Sequence, residues 1–127
     1  MSWNRLLGVA GALSGFIAVA AGAFGAHALK KRLAPDLLAV FETGARYQMF
    51  HALGLVAIAV WLARAESGSI VPLRAAGVLF LVGTALFSGS LYALALTGVG
   101  RLGAVTPLGG LAFLAGWLAL AIAAWRA

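Results

Sequence analysis

Gly22-Ala-Phe-Gly25-Ala-His27-Ala-Leu29 closes one apolar run of the chain, and Arg46-Tyr47-Gln48-Met-Phe-His51-Ala-Leu53 opens the next. Between them stand Lys30-Lys31-Arg32 and then Ala34-Pro35-Asp36. Residues 22–53 hold both histidines, two of the three acids and four of the nine basic residues. Outside this window the sequence is nearly unbroken apolar residues. A basic turn between two runs, each close to the roughly 20 residues a bilayer crossing requires, reads as a hairpin of membrane-spanning helices.

Composition extends that reading to the whole chain. Of its 127 residues, 64% are hydrophobic and 9% charged, with a mean hydropathy of +1.06. A soluble domain averages about 25% charged residues, so this chain has too little polar surface to face water. Four spans with short loops use up the length. The expectation is an all-α integral membrane bundle of four transmembrane helices in up-down order, one transmembrane domain over residues 1–127. The helices are placed at about 4–29, 36–63, 71–97 and 106–126. Arg5, the apolar run and Ala26-His27-Ala28 imitate a signal peptide with its cleavage site. Leu6 to Ala26 is long enough to span, however, so an uncleaved first helix is expected.

The net charge of +6 raises the question of nucleic acid. The basic residues sit at the ends of apolar runs instead of on one face with stacking aromatics, and this argues against it. Trp3, Trp61, Trp117 and Trp125 also lie near run ends, as interface anchors do. The absence of cysteine removes disulfides, thiolate metal sites and cysteine nucleophiles. The loop 1–2 side, with Arg101, carries five basic residues against four on the other side. The positive-inside rule then puts loop 1–2 in the cytoplasm and both termini outside.

Small residues recur every three or four positions in the first run (Gly8, Gly11, Gly15, Ala18, Gly22, Gly25) and in the last (Gly109, Ala112, Gly116, Ala119, Ala123). In lipid such stripes let backbones approach closely. Gly11, Gly15, Gly22, Gly109 and Gly116 are therefore expected to form a packing seam between the first and last helices. Pro35 is expected to stop helix 1, and Gly68 and Pro72 to interrupt the loop before helix 3. Thr106-Pro107 is read as an N-cap followed by proline at the first helical position.

The polar residues of the window define the candidate site. Glu42 and Arg46 are spaced i, i+4, while His51 lies about 180° around the helix from Glu42, flanked by Tyr47 and Gln48. His27, Arg46, Tyr47, Gln48 and His51 are expected to converge at the cytoplasmic end of the bundle, joined by Glu42 or by Tyr92 from helix 3. A structural polar knot is the plainer reading of this cluster and a ligand site the sharper one. Lys30, Lys31 and Arg32 suit anionic lipid head groups. Thr84, Ser88 and Tyr92, spaced i, i+4, i+8, are expected to bond carbonyls or neighbouring helices.

Gly22-Ala-Phe-Gly-Ala-His27-Ala-Leu, Tyr47-Gln-Met-Phe-His51-Ala-Leu, Phe87-Ser-Gly-Ser-Leu-Tyr92 and Thr106-Pro-Leu-Gly-Gly110 together resemble the YgdD/YwdK-like family over nearly the whole chain. The resemblance implies a small four-span protein of the bacterial inner membrane. The family is one of uncharacterised function, so no catalytic residue carries over.

No acid lies inside an apolar run, which disfavours a proton or cation pathway within a single chain. Hydrolysis needs a nucleophile, a base and an orienting group; Ser88 and Ser90 have no carboxylate in sequence reach, so an enzyme is not expected. His27 and His51 could together ligate haem or a divalent metal, but a third protein ligand is not evident. Neither a metal nor a cofactor is therefore assigned. The expected function is a non-catalytic bundle binding lipid or an apolar ligand, or an accessory subunit of a membrane complex. A small oligomeric transporter or channel and a His27/His51 haem or metal protein are the alternatives. The expected partners are the lipid bilayer and either further copies of the chain or a larger membrane complex.

Overall fold

The computed structural model describes residues 1–127. It contains α1 (Trp3–His27), a 3-10 turn (Leu29–Lys31), α2 (Pro35–Leu62), α3 (Ser67–Gly83), a π-helical turn (Thr84–Ser88), α4 (Gly89–Thr97), a 3-10 turn (Gly100–Ala104) and α5 (Thr106–Trp125). α3, the π turn and α4 make one continuous rod. The chain thus has four helices long and apolar enough to cross a membrane, and no strand.

Local sequence explains where the helices begin and end. α2 opens with Pro35 in its first turn and Asp36 beside it, where a missing N–H is harmless and an acid complements the helix dipole. Pro35 thus starts α2; α1 has already ended at His27. α4 ends at Gly98, whose φ of 71° lets its N–H close onto the Leu94 carbonyl at 2.8 Å. Glycine takes that left-handed conformation without a Cβ clash.

Two of these boundaries depart from the sequence reading. α3 begins at Ser67, so Gly68 and Pro72 lie inside the helix and not in a loop. Pro72 is close enough to the helix start that the carbonyl it crowds, four residues back, belongs to Gly68 in the first turn. The buried Ser69 hydroxyl ties that turn to the Ala123 carbonyl of α5 at 3.1 Å. Thr106 does not cap α5 through its side chain. Its hydroxyl instead meets Ser90 Oγ at 2.6 Å, linking α5 to α4.

The expected α1–α5 seam does not form. α1 packs on α2, and α5 packs on α3 and the π turn. A Cβ on Gly11 would stand 2.9 Å from Leu55 Cβ and 3.0 Å from the Ala52 carbonyl, while one on Gly15 would stand 3.8 Å from Ala52 Cβ. Gly109 lies against the backbone of Phe87, and Gly116 receives the ring of Phe80 at 2.6 Å from where its Cβ would be. Gly22 contacts nothing within 4 Å. Short connections make sequence neighbours spatial neighbours, so each glycine stripe is spent within its own hairpin.

These contacts also set the depth of each residue. Gly25 meets Phe41, Gly11 meets Leu55 and Gly8 meets Ala59, so His51 falls level with Gly15, the midpoint of α1. Gly54 meets Phe80 and Gly44 meets Tyr92, which puts the π turn level with residues 46–52. The larger apolar core, centred on Leu7, Leu55, Leu73, Phe80 and Phe113, fills the half nearer the termini. A smaller one of Leu29, Phe41 and Ala95 fills the loop 1–2 half. The polar contacts lie between them.

Candidate functional site

Two groups of polar side chains cross the middle of the bundle. In the first, Gln48 of α2 is almost wholly buried. Its amide nitrogen donates to Ser14 of α1, to the carbonyl oxygen at 3.3 Å and the hydroxyl at 3.2 Å. Its amide oxygen accepts from the Tyr92 hydroxyl of α4 at 2.6 Å. One glutamine therefore ties three of the four spans. Ser88, at the end of the π turn, adds a fourth tie by donating to the Gly44 carbonyl at 2.7 Å.

The second group is built on His51, which is also buried. The Trp117 indole N–H of α5 meets His51 Nε2 at 3.1 Å, and His51 Nδ1 meets the Tyr47 carbonyl at 2.7 Å. An indole can only donate and a carbonyl can only accept. Nε2 must therefore carry the lone pair and Nδ1 the proton, so the imidazole is held as one neutral tautomer. The ring stacks on Phe113 with centroids 3.5 Å apart and takes Phe80 edge-on at 4.9 Å.

Beside this histidine α2 and α5 do not close on each other. They leave a recess of about 550 Å³ whose walls include Tyr47, Phe87, Leu111, Phe113, Leu114 and Trp117. Gly110 and Pro107 also line it. Tyr47 packs tilted on Phe87 with centroids 4.9 Å apart. The Tyr47 hydroxyl makes no hydrogen bond, whereas the hydroxyl of the other tyrosine, Tyr92, is tied to Gln48. Counted along the same register, the recess is centred near mid-span.

The sequence reading placed seven residues in one cluster, and the structure divides them. Gln48 joins Tyr92, and Tyr47 joins His51. His27 joins neither: it is exposed at the last residue of α1. His51 stands sixteen residues into α2 from Pro35, about 24 Å along the helix at 1.5 Å per residue. The two histidines therefore differ in depth, the cluster is not at the loop 1–2 end, and a shared haem or metal between them is ruled out by distance. Glu42 and Arg46 are exposed and form no ion pair. Lys30, Lys31 and Arg32 are exposed at the 3-10 turn.

Sequence reasoning missed Ser14, Phe87, Phe113 and Trp117. Trp117, counted with the other tryptophans as an interface anchor, is not one: it stands eight residues inside the end of α5 and bonds His51. That position was the available signal. Thr84 Oγ1, at the start of the π turn, is the one buried side-chain oxygen or nitrogen without a partner.

Four antiparallel spans, sealed in hairpins by glycine and tied at mid-depth by a glutamine and a histidine, define a small polytopic membrane bundle. The chain belongs to the family described as "Protein of unknown function (DUF423)", which matches residues 21–110. It is 47% identical to the UPF0382 membrane protein YwdK of Bacillus subtilis (strain 168) over 91% of this chain and 93% of that one. It is 42% identical to the UPF0382 inner membrane protein YgdD of Escherichia coli (strain K12), over 97% and 92% of the two chains. A third relative is the UPF0382 membrane protein SH2409 of Staphylococcus haemolyticus, 43% identical over 96% and 97%. The resemblance drawn from the four motifs is thus shown, and the family it leads to is one of unknown function. No solved structure matches the chain.

Proposed function

We propose that this protein is a non-catalytic binder of an apolar, ring-bearing lipid with a carbonyl oxygen, taken up sideways from the bilayer into the recess beside His51. The observation that carries this reading is Tyr47, whose hydroxyl has no hydrogen-bond partner and whose side chain helps to line a recess of about 550 Å³ walled by aromatic rings. In water an exposed phenol would be hydrated, but at this depth it faces hydrocarbon, where an unpaired hydroxyl is costly. A carbonyl on the ligand supplies the missing acceptor. Phe87, Phe113 and Trp117 favour a flat ring over a saturated chain, through stacking and edge contacts. A head group cannot reach mid-span, so the polar part of the ligand must be small. A prenylated quinone has this chemistry.

His51 and Trp117 already satisfy each other, which makes them walls and not donors to the ligand. On this reading the locked imidazole orients Trp117 and the ligand bond falls to Tyr47 alone. The bundle is placed in the bacterial inner membrane, with loop 1–2 in the cytoplasm and Lys30, Lys31 and Arg32 against anionic head groups. The name carried by YgdD and the basic turn support that placement. A cysteine introduced at Lys31 tests it, because the chain has no other. A membrane-impermeant maleimide should fail to label it in intact cells and label it after lysis; labelling of intact cells would reverse the orientation.

Binding is read from tryptophan emission. Titrating the detergent-solubilised protein with a short-tailed benzoquinone should quench part of the emission to saturation. Trp117→Phe should abolish the saturable part. Tyr47→Phe should weaken affinity by about two- to tenfold, the worth of one hydrogen bond of about 0.5–1.5 kcal/mol. Quenching that rises linearly without saturation, or that ignores both substitutions, would remove this function.

A further inference from the structure

Arg46 and Glu42 are two exposed residues of opposite charge, one turn apart, on the outer surface of α2. Where Phe41 lies against Gly25 and Leu55 against Gly11, Arg46 is level with about residue 20 of α1 and Glu42 with about residue 24. Taking Gly15 as mid-span, Arg46 lies about 8 Å and Glu42 about 14 Å from the centre at 1.5 Å per residue. The hydrocarbon extends about 15 Å either side. The Arg46 backbone is therefore inside the apolar layer, and that of Glu42 is at its edge on the loop 1–2 side. Both are exposed, and neither is paired with anything in the chain.

Both line a recess of about 340 Å³ between α1 and α2, together with Ala18, Gly22, Met49 and Phe50. A Cβ on Gly22 would meet nothing within 4 Å, so this glycine is not used inside the protomer. An ionisable residue in lipid ordinarily pairs or faces the interior of an assembly. The charges here are opposite, one helical turn apart and on one surface, which makes the surface complementary to itself.

We infer that the α1–α2 face of one copy docks on the same face of a second copy, with Arg46 of each paired to Glu42 of the other around the recess at Gly22. A two-fold axis along the membrane normal keeps both copies in the same orientation and relates residue i to j and j to i. It holds each Glu42 at the depth that the partner's arginine reaches when it extends towards the interface. Gly22 and Ala18 leave room for the second backbone, as small residues do at helix contacts in lipid. The inference is independent of the aromatic recess, which lies on the α2–α5 side.

The test uses two tagged forms of the full chain, coexpressed and captured in mild detergent. Wild type should capture wild type. Glu42→Arg gives a copy with only positive charge at the face, and Arg46→Glu one with only negative charge. Each should capture itself at least tenfold less than wild type does, because the two-fold axis sets like charges against each other, and the two together should recover wild-type capture. An Arg46–Glu42 pair closed within one helix is absent from both variants, so recovery reports pairing across the interface. Gly22→Leu provides the check independent of charge: it should retain the unfolding midpoint in dilute detergent and lose capture. Wild-type chains that do not capture each other, with anionic lipid copurifying instead, would show Arg46 to serve a head group and overturn the inference. So would capture by the mixed pair no better than by either variant with itself.

Discussion

Gly109→Ala should be the most damaging small substitution in the protein, lowering stability by about 3 kcal/mol, the upper end of what overpacking costs. A Cβ at this position would collide with the backbone nitrogen of Phe87 and stand 2.8 Å from its Cα. Side chains can rotate away from an added methyl, but here the obstacle is main chain. It also belongs to the π turn Thr84–Ser88, which cannot shift without disturbing the Ser88–Gly44 bond and the Phe87 wall of the recess. The same substitution at Gly22, where nothing lies within 4 Å, should change stability by less than about 0.5 kcal/mol, as surface changes do. Unfolding in mixed micelles with increasing anionic detergent measures both. Equal midpoints for the two variants would mean that α5 does not seat on the π turn as described.

That pair of glycines also shows what sequence could and could not tell. Four spans follow from apolar length and basic punctuation, and any up-down bundle of this length satisfies them. The small-residue stripes correctly marked close backbone contacts, but a stripe does not name its partner. Gly11 and Gly109 have the same periodicity, yet one receives Leu55 and Ala52 and the other the Phe87 backbone. Periodicity fixes the face of a helix and leaves open which neighbour covers it. Depth was lost for a related reason. His27 and His51 were read as level because both flank the same turn, but α2 carries His51 to the middle of the span. The π turn was not legible at all, since Thr84-Ala-Leu-Phe-Ser88 has no composition that separates it from an ordinary helix.

The site was partly legible. His51 is legible as a residue that needs a partner, because a polar group in lipid is costly alone, and Tyr47, Gln48 and Tyr92 as members of the same candidate cluster. What hid the division into two groups is that Gln48 and His51, three residues apart on α2, are satisfied from different sides: by α1 and α4 for the glutamine, by α5 for the histidine. Ser14 is a lone hydroxyl in a run of small residues and carries no signal until Gln48 is opposite it.

Gln48→Leu should cost about 2 kcal/mol, a large effect for a neutral polar residue in a membrane bundle. Hydrogen bonds between membrane helices average about 0.6 and reach about 1.7 kcal/mol, and Gln48 connects to two helices at once. Leucine would also leave the Tyr92 hydroxyl without its acceptor, and a stranded donor costs more than a lost bond is worth. Tyr92→Phe removes the bond and the hydroxyl together, so its cost should be smaller, about 1 kcal/mol. The ring keeps its packing on Phe41, 4.9 Å between centroids. Because the two residues share one bond, the double variant should be about as stable as Gln48→Leu alone. Such non-additivity is what a double-mutant cycle detects between residues in contact. Unfolding of the wild type, the two single variants and the double variant in the same mixed micelles gives the coupling directly. Costs that simply add would mean that Gln48 and Tyr92 act separately and that the three-helix tie is absent in the folded protein.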